Sequence, residues 1–84
     1  MSEEKEIGKV MGYFDKVQVV AIELTDTLKV GDTIHIKGAT TDFTQKVESM
    51  QVEHESVKEV KAGSSVGIRV KDKARPNDKV YKVK

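Results

Sequence analysis

From residue 33 to residue 37 the chain alternates strictly, Ile34 and Ile36 pointing one way and Thr33, His35 and Lys37 the other. That is the period of a strand with one buried face. The same period runs through residues 17–24, where Val20, Ile22 and Leu24 share one face and Val17, Val19 and Ala21 the other. With both faces apolar, this strand is either covered on both sides or turns its outer face to another surface. Residues 66–70 repeat the alternation, with Val66, Ile68 and Val70 inward and Gly67, Arg69 and the following Lys71 outward, and residues 79–83 form a last strand. No stretch sustains the i, i+3, i+4, i+7 spacing of an amphipathic helix over three turns.

Two segments are less regular. Residues 7–13 predict a first strand with Val10 in the core, and Gly8 and Gly12 mark a bend or a close backbone approach. Residues 43–54 predict one long strand in which Val47 and Met50 lie three apart, a spacing that alternation forbids on one face; a β-bulge near Glu48 and Ser49 would restore the phase. Residues 55–60 fit either an extended stretch or one helical turn. Between these segments lie turn signals. Gly31 suits positive φ in a loop over 28–32, where Asp32 can cap a backbone N–H; Gly63 serves the turn at 62–65; Pro76 and Asn77 shape a turn at 75–78. Residues 1–6 are charged and predict a flexible N-terminal tail. The expectation is an all-β fold: residues 7–84 as a single small β-barrel of six or seven mostly antiparallel strands, closed by pairing of its first and last segments.

Composition strengthens that reading. Thirteen valines, five isoleucines and six threonines stand against two leucines, and β-branched side chains favour pleated surfaces. Eighty-four residues suffice for one core and no second. The chain holds no cysteine, which excludes disulfides, a thiolate metal site and a cysteine nucleophile. No apolar run approaches the roughly 18–20 residues of a membrane span, and the first residues lack the basic start and apolar stretch of a signal peptide. A cytoplasmic domain with no membrane partner is expected.

Candidate chemistry is sparse. His35 and His54, with Ser64, Ser65 and several aspartates, could be drawn into a Ser-His-Asp grouping, yet no Gly-x-Ser-x-Gly elbow occurs and Ser64-Ser65 suits a plain turn. No close histidine pair marks a metal site, so solvated surface histidines are the plainer reading. No Gly-x-x-x-x-Gly-Lys-Ser/Thr segment exists to cradle a phosphate. The sequence therefore predicts no catalytic residue, no metal, no cofactor and no nucleotide binding by this chain alone.

Charge is more informative, because it is polarised although the total is only +1. Residues 69–84 carry seven basic side chains against Asp72 and Asp78, and residues 48–59 carry four glutamates against Lys58. Arg69, Lys71, Lys73, Arg75 and Lys79 read as a basic stripe able to track a phosphate backbone; the plainer alternative is that lysines keep exposed strands soluble and blunt sheet edges. Tyr13 and Phe14 are adjacent, so both cannot point inward, and an exposed ring there could stack on a base or anchor a protein partner. Tyr13 joins the RNA-binding candidates. Val17 and Val19, on the outer apolar face, are the candidates for a protein contact.

Five segments carry a resemblance: Ile7-Gly8-Lys9-Val10, Val20-Ala21-Ile22-Glu23-Leu24, Leu28-Lys29-Val30-Gly31-Asp32-Thr33-Ile34, Val47-Glu48-Ser49-Met50 and Ala62-Gly63-Ser64-Ser65-Val66-Gly67-Ile68. In that order they resemble the second-domain β-barrel of elongation factor Tu and other translational GTPases, here as a standalone elongation-factor-like protein. Asn77-Asp78 stands where that domain closes on Gly-Asp. Similar barrels also occur at the C-terminus of collagenase-like peptidases. The resemblance to the elongation factors implies a non-catalytic, translation-related module contacting tRNA or ribosomal RNA. The alternative is a protein-interaction adaptor acting in trans with a GTPase or another enzyme.

Overall fold

The computed structural model describes residues 4–53 and 55–83, among which every regular element is a strand. In chain order these are β1 (Glu4–Phe14), β2 (Val19–Leu24), β3 (Leu28–Lys29), β4 (Thr33–Lys37), β5 (Asp42–Lys46), β6 (Met50–Val52), β7 (Glu55–Val57), β8 (Glu59–Val60), β9 (Ser65–Arg69) and β10 (Lys79–Val83). Eight form one sheet in the order β5-β4-β10-β1-β2-β9-β6-β7, and β3 pairs separately with β8. Every pairing is antiparallel. The first and last strands pair, from Glu4 opposite Val83 to Lys9 opposite Lys79, but inside the strand order, whose two ends are β5 and β7, so their pairing does not close the sheet as expected. The strands number ten rather than six or seven because residues 55–60 are extended and supply β7 and β8, the expected loop at 28–32 begins with β3, and the strand expected over 43–54 is divided into β5 and β6. No helix among the described residues is long and apolar enough to cross a membrane.

Alternation sends one set of side chains into a shared interior. Val20, Ile22, Leu24, Ile34, Ile36, Val66, Ile68 and Val80 are all fully buried, each worth about 1.5–3 kcal/mol of transfer free energy. Leu28, Val60, Val70 and Ala74 fill the same core from short strands and loops.

The long strand expected over 43–54 does not form. β5 pairs with β4 at one end of the strand order, whereas β6 pairs with β9 near the other. Between them Val47 is buried, its N–H donating to the Asp32 carbonyl at 2.8 Å and its carbonyl accepting from the Gly31 N–H at 2.8 Å. The odd spacing of Val47 and Met50 thus marks a crossing between two parts of the sheet and not a bulge.

The bulges lie in β1 instead. Its register slips against β10 between Glu6 and Gly8, and against β2 between Val10 and Gly12. Ile7 and Val10, three apart, are consequently both buried. Gly8 sits where a Cβ would lie 2.5 Å from the Glu23 carbonyl oxygen, so only glycine fits. The expected tail is also corrected: Glu4, Lys5 and Glu6 pair with Val83, Lys82 and Tyr81 as the start of β1, while residues 1–3 of that expectation lie outside the described residues.

Two side-chain devices hold loops to this frame. Asp78, only 6% exposed, accepts a hydrogen bond from the Arg75 N–H at 2.9 Å and closes the turn in which Asn77 adopts φ 75°. Its carboxylate lies against Gly38, where any Cβ would overlap it. Gln45 on β5 reaches the far side of the sheet: its amide donates to the Arg69 carbonyl at 2.9 Å and its Oε1 accepts from the Lys71 N–H at 2.9 Å. An edge strand is thereby tied to the end of β9 by one side chain.

Candidate functional site

Cross-strand registers decide what the outer face presents. Val19 stands opposite Phe14 on β1 and opposite Arg69 on β9, so Phe14, Val19 and Arg69 form one row. Ala21 stands opposite Gly12 and Gly67, and Gly67 opposite Gln51 on β6, so the neighbouring row is nearly devoid of side chains. A ridge beside a bare row makes a trough. The β1–β2 turn deepens it by raising Lys16 and Val17 above the sheet; Gln18 at its end holds φ 55° and accepts a hydrogen bond from the Val70 N–H at 2.9 Å. The resulting groove, about 700 Å³, is lined by Phe14, Lys16, Val17, Val19, Ser49, Gln51, Gly67 and Arg69. Phe14 and Val17 are 58% and 57% exposed, the most exposed large apolar side chains described.

Next to the groove lies a second, smaller concavity that shares Ser49 and Arg69 and adds Lys46, Glu48 and Lys71. Lys16, Lys46, Arg69 and Lys71 make no ion pair among the described residues. The two concavities together therefore show four cations and one carboxylate beside aliphatic walls.

The expected site residues are only partly brought together. Val17, Val19, Arg69 and Lys71 meet at this groove. Lys73 and Arg75 are exposed in the loop after β9, and Arg75 belongs to the turn closed by Asp78. Lys79 is on β10, separated from β9 by β1 and β2, and its Nζ lies 3.8 Å from Glu6. The continuous basic stripe does not exist, because β10 enters the sheet beside β1 and not beside β9.

Tyr13 is corrected too. The bulge between Val10 and Gly12 shifts the phase of β1, so Tyr13 pairs with the inward-facing Val20 and packs against the core, while Phe14 takes the outer position. Gln51, Ser49 and Gly67 were not among the expected site residues, since only the β6–β9 register brings Gln51 to Gly67.

His35 is not the solvated histidine expected. Its side chain is 15% exposed, with Nδ1 2.8 Å from Glu4 Oε2 on β1 and Nε2 2.5 Å from Asp42 Oδ1 on β5. A neutral imidazole has one N–H, so only the cation donates to both carboxylates. The Asp42 hydrogen bond raises the imidazole pKa above its usual value, burial opposes the rise, and the Glu4 hydrogen bond adds to it. The Tyr81 ring stands 6.2 Å away, centroid to centroid, at 46°. His54 lies outside the described residues. Among the described residues no group of three or more histidines and carboxylates has the geometry to hold a metal ion.

No protein-family model matches the chain. It is 44% identical over 80 residues to an uncharacterized protease of Methanocaldococcus jannaschii, a match spanning 94% of this chain and 20% of that protein. It is 38% identical over 78 residues to a collagenase of Porphyromonas gingivalis, spanning 90% of this chain and 22% of that protein. The chain thus covers about a fifth of the length of these curated relatives. Two crystal structures of the C-terminal domain of a Geobacillus thermoleovorans protein named as a U32 peptidase share its fold. Each superposes with a TM-score of 0.86, at 20% and 21% identity, covering 90% and 93% of this chain and 96% and 91% of theirs.

These likenesses overturn the kinship with elongation factor Tu, and with it the translation-related function and the tRNA or ribosomal partner. The motifs that suggested them, Gly31-Asp32 and Ala62-Gly63, meet turn requirements that any curled antiparallel sheet imposes: Gly31 and Gly63 have φ of 100° and 88°, and the Asp32 carboxylate accepts from the Lys29 N–H at 2.9 Å. The matched proteins fall with the collagenase-like peptidases, whose C-terminal module the same motifs also resemble.

Proposed function

We propose that this chain is a non-catalytic accessory domain that works beside a peptidase domain of the U32 type and docks polypeptide through the Phe14–Arg69 groove. The observation that carries this reading is the groove itself: aliphatic and aromatic side chains left in water beside cations, with no nucleophile–base pair among its lining residues. Exposed apolar surface beside uncompensated cations favours a binding role over a catalytic one. The match of almost the whole chain to one fifth of larger proteases supports a supporting role next to a catalytic unit.

We also read the curled sheet as a small barrel. What supports this is one continuous core inside the sheet and the Gln45 amide, which ties the edge strand β5 to the end of β9 where no ladder joins them.

The test is a protease assay with the chain alone and with a U32-type catalytic domain added in trans. The chain alone should leave casein and gelatin intact. Added to the catalytic domain, it should lower the KM for a protein substrate with kcat nearly unchanged, and Val17→Asp should remove that effect. Proteolysis by the isolated chain, or an unchanged KM, would defeat the reading.

A further inference from the structure

We infer that the groove selects an extended acidic segment, seating one apolar side chain in the trough and placing carboxylates against Lys16, Arg69 and Lys71. This rests on the reading of the groove as a polypeptide-docking surface and names what that surface prefers.

Charge complementarity carries the argument. The chain as a whole is +1, yet the groove and the concavity adjoining it gather four cations against Glu48 alone. Four lysines elsewhere have counter-ions, Lys5 with Asp26, Lys29 with Glu59, Lys79 with Glu6 and Lys82 with Asp32; Lys9, Lys37, Lys58, Lys61 and Lys73 make no ion pair among the described residues either, but none of them lines an apolar concavity. Arg69 has its carbonyl fixed by Gln45 and lines both concavities, with no ion pair among the described residues. A cationic rim without internal counter-ions attracts an anionic partner and repels a basic one, which sets selectivity more than affinity.

Shape narrows the class. From Phe14 on β1 through Val19 on β2 and Gly67 on β9 to Gln51 on β6, the groove crosses four neighbouring strands, three spacings or about 14 Å, the reach of about four extended residues. A Cβ on Gly67 would already lie 3.3 Å from Val19 Cγ1, so the trough exists because that position has no side chain. The walls favour polypeptide over nucleic acid: Phe14 is the one aromatic among the lining residues, and Val17 and Val19 offer a base no ring to stack on.

The experiment measures fluorescence anisotropy of a labelled octapeptide alternating glutamate and leucine, titrated with the full chain, against the same peptide with lysine for glutamate. The glutamate peptide should bind at least ten-fold more tightly. Arg69→Glu should weaken it at least ten-fold and shrink the difference between the peptides, and 0.5 M salt should do the same. Gly67→Leu should weaken both peptides by filling the trough; if its melting curve shows misfolding, Val17→Asp on the exposed turn serves instead. Binding of the two peptides within two-fold, or an indifferent Arg69→Glu, would overturn the inference. So would stronger competition by an oligouridylate than by unlabelled peptide, or a groove occupied by a second copy in sedimentation. If neither peptide binds while Val17→Asp still abolishes the KM effect, the acidic preference fails and the docking role stands. The converse pattern sinks the docking role alone.

Discussion

Two patches on the outer face of one sheet use similar residues to opposite ends. At the β1–β4–β5 corner a histidine sits between two carboxylates, 2.8 and 2.5 Å away, with Tyr81 alongside. At the β1–β2–β9–β6 corner an aromatic ring, two valines and several cations stand with scarcely a carboxylate among them. The first patch is electrostatically finished and joins strands to one another. The second is unfinished, and a partner can complete it. Charge alone does not mark an interface; charge left without counter-ions beside apolar surface does.

The contrast can be removed by giving the groove its own counter-ion. Gln51→Glu places a carboxylate on the bare row near Arg69. The acidic octapeptide should then bind about 10- to 30-fold more weakly, as anisotropy reads directly, while the melting midpoint holds. Next in size is Gln45→Ala, which frees the Arg69 carbonyl and the Lys71 N–H that frame the groove. It should cost about 1–2 kcal/mol in urea unfolding, and more than that would make the tie a main support of the fold.

His35→Gln tests the finished patch. Because its folded pKa is raised, the cation's stabilisation is complete below the unfolded value of about 6.5 and fades as pH rises through the folded one. The variant should lose about 1 kcal/mol at pH 5.5 and almost nothing at pH 9; a loss equal at both pH values would point to packing against Tyr81 instead. The smallest effect is expected at Asp26, whose carboxyl is held below its usual pKa by the hydrogen bond from Lys5 and by the Thr27 N–H. Its contribution is present above about pH 4 and lost on acidification, so Asp26→Asn should lower the neutral melting midpoint slightly, leave it unchanged at the acid end, and so flatten the acid limb of the stability curve.

What was legible in the sequence were the elements whose side chains alternate without interruption. Thr33–Lys37 and Lys79–Val83 have the bounds that alternation assigns them, and Val20, Ile22, Leu24, Val66, Ile68 and Val70 face the core as their spacing requires. Legibility failed wherever a phase shift had two solutions. At Val47 the same odd spacing fits a bulge or a crossing, and only a long-range pairing chooses between them. At Val10–Gly12 a bulge inverted the faces of the rest of β1, exchanging Tyr13 for Phe14 as the exposed ring. The basic stripe failed because adjacency along the chain, from Arg69 to Lys79, is not adjacency in the sheet. Three of the eight lining residues, Val17, Val19 and Arg69, could be named as site candidates from local pattern; the floor and far wall depend on β6 meeting β9.

The pairing of Gly38 with Asp78 has a consequence well away from either. The turn that Asp78 closes supplies both backbone partners of Val10: the Asp78 carbonyl accepts its N–H, and the Asn77 N–H donates to its carbonyl, each at 2.8 Å. A single methyl group at position 38 would evict the carboxylate, loosen that turn and unfasten the middle of β1 beside its second bulge. Two positions forty residues apart are therefore coupled through one contact, and a side chain added at 38 calls for a smaller one at 78.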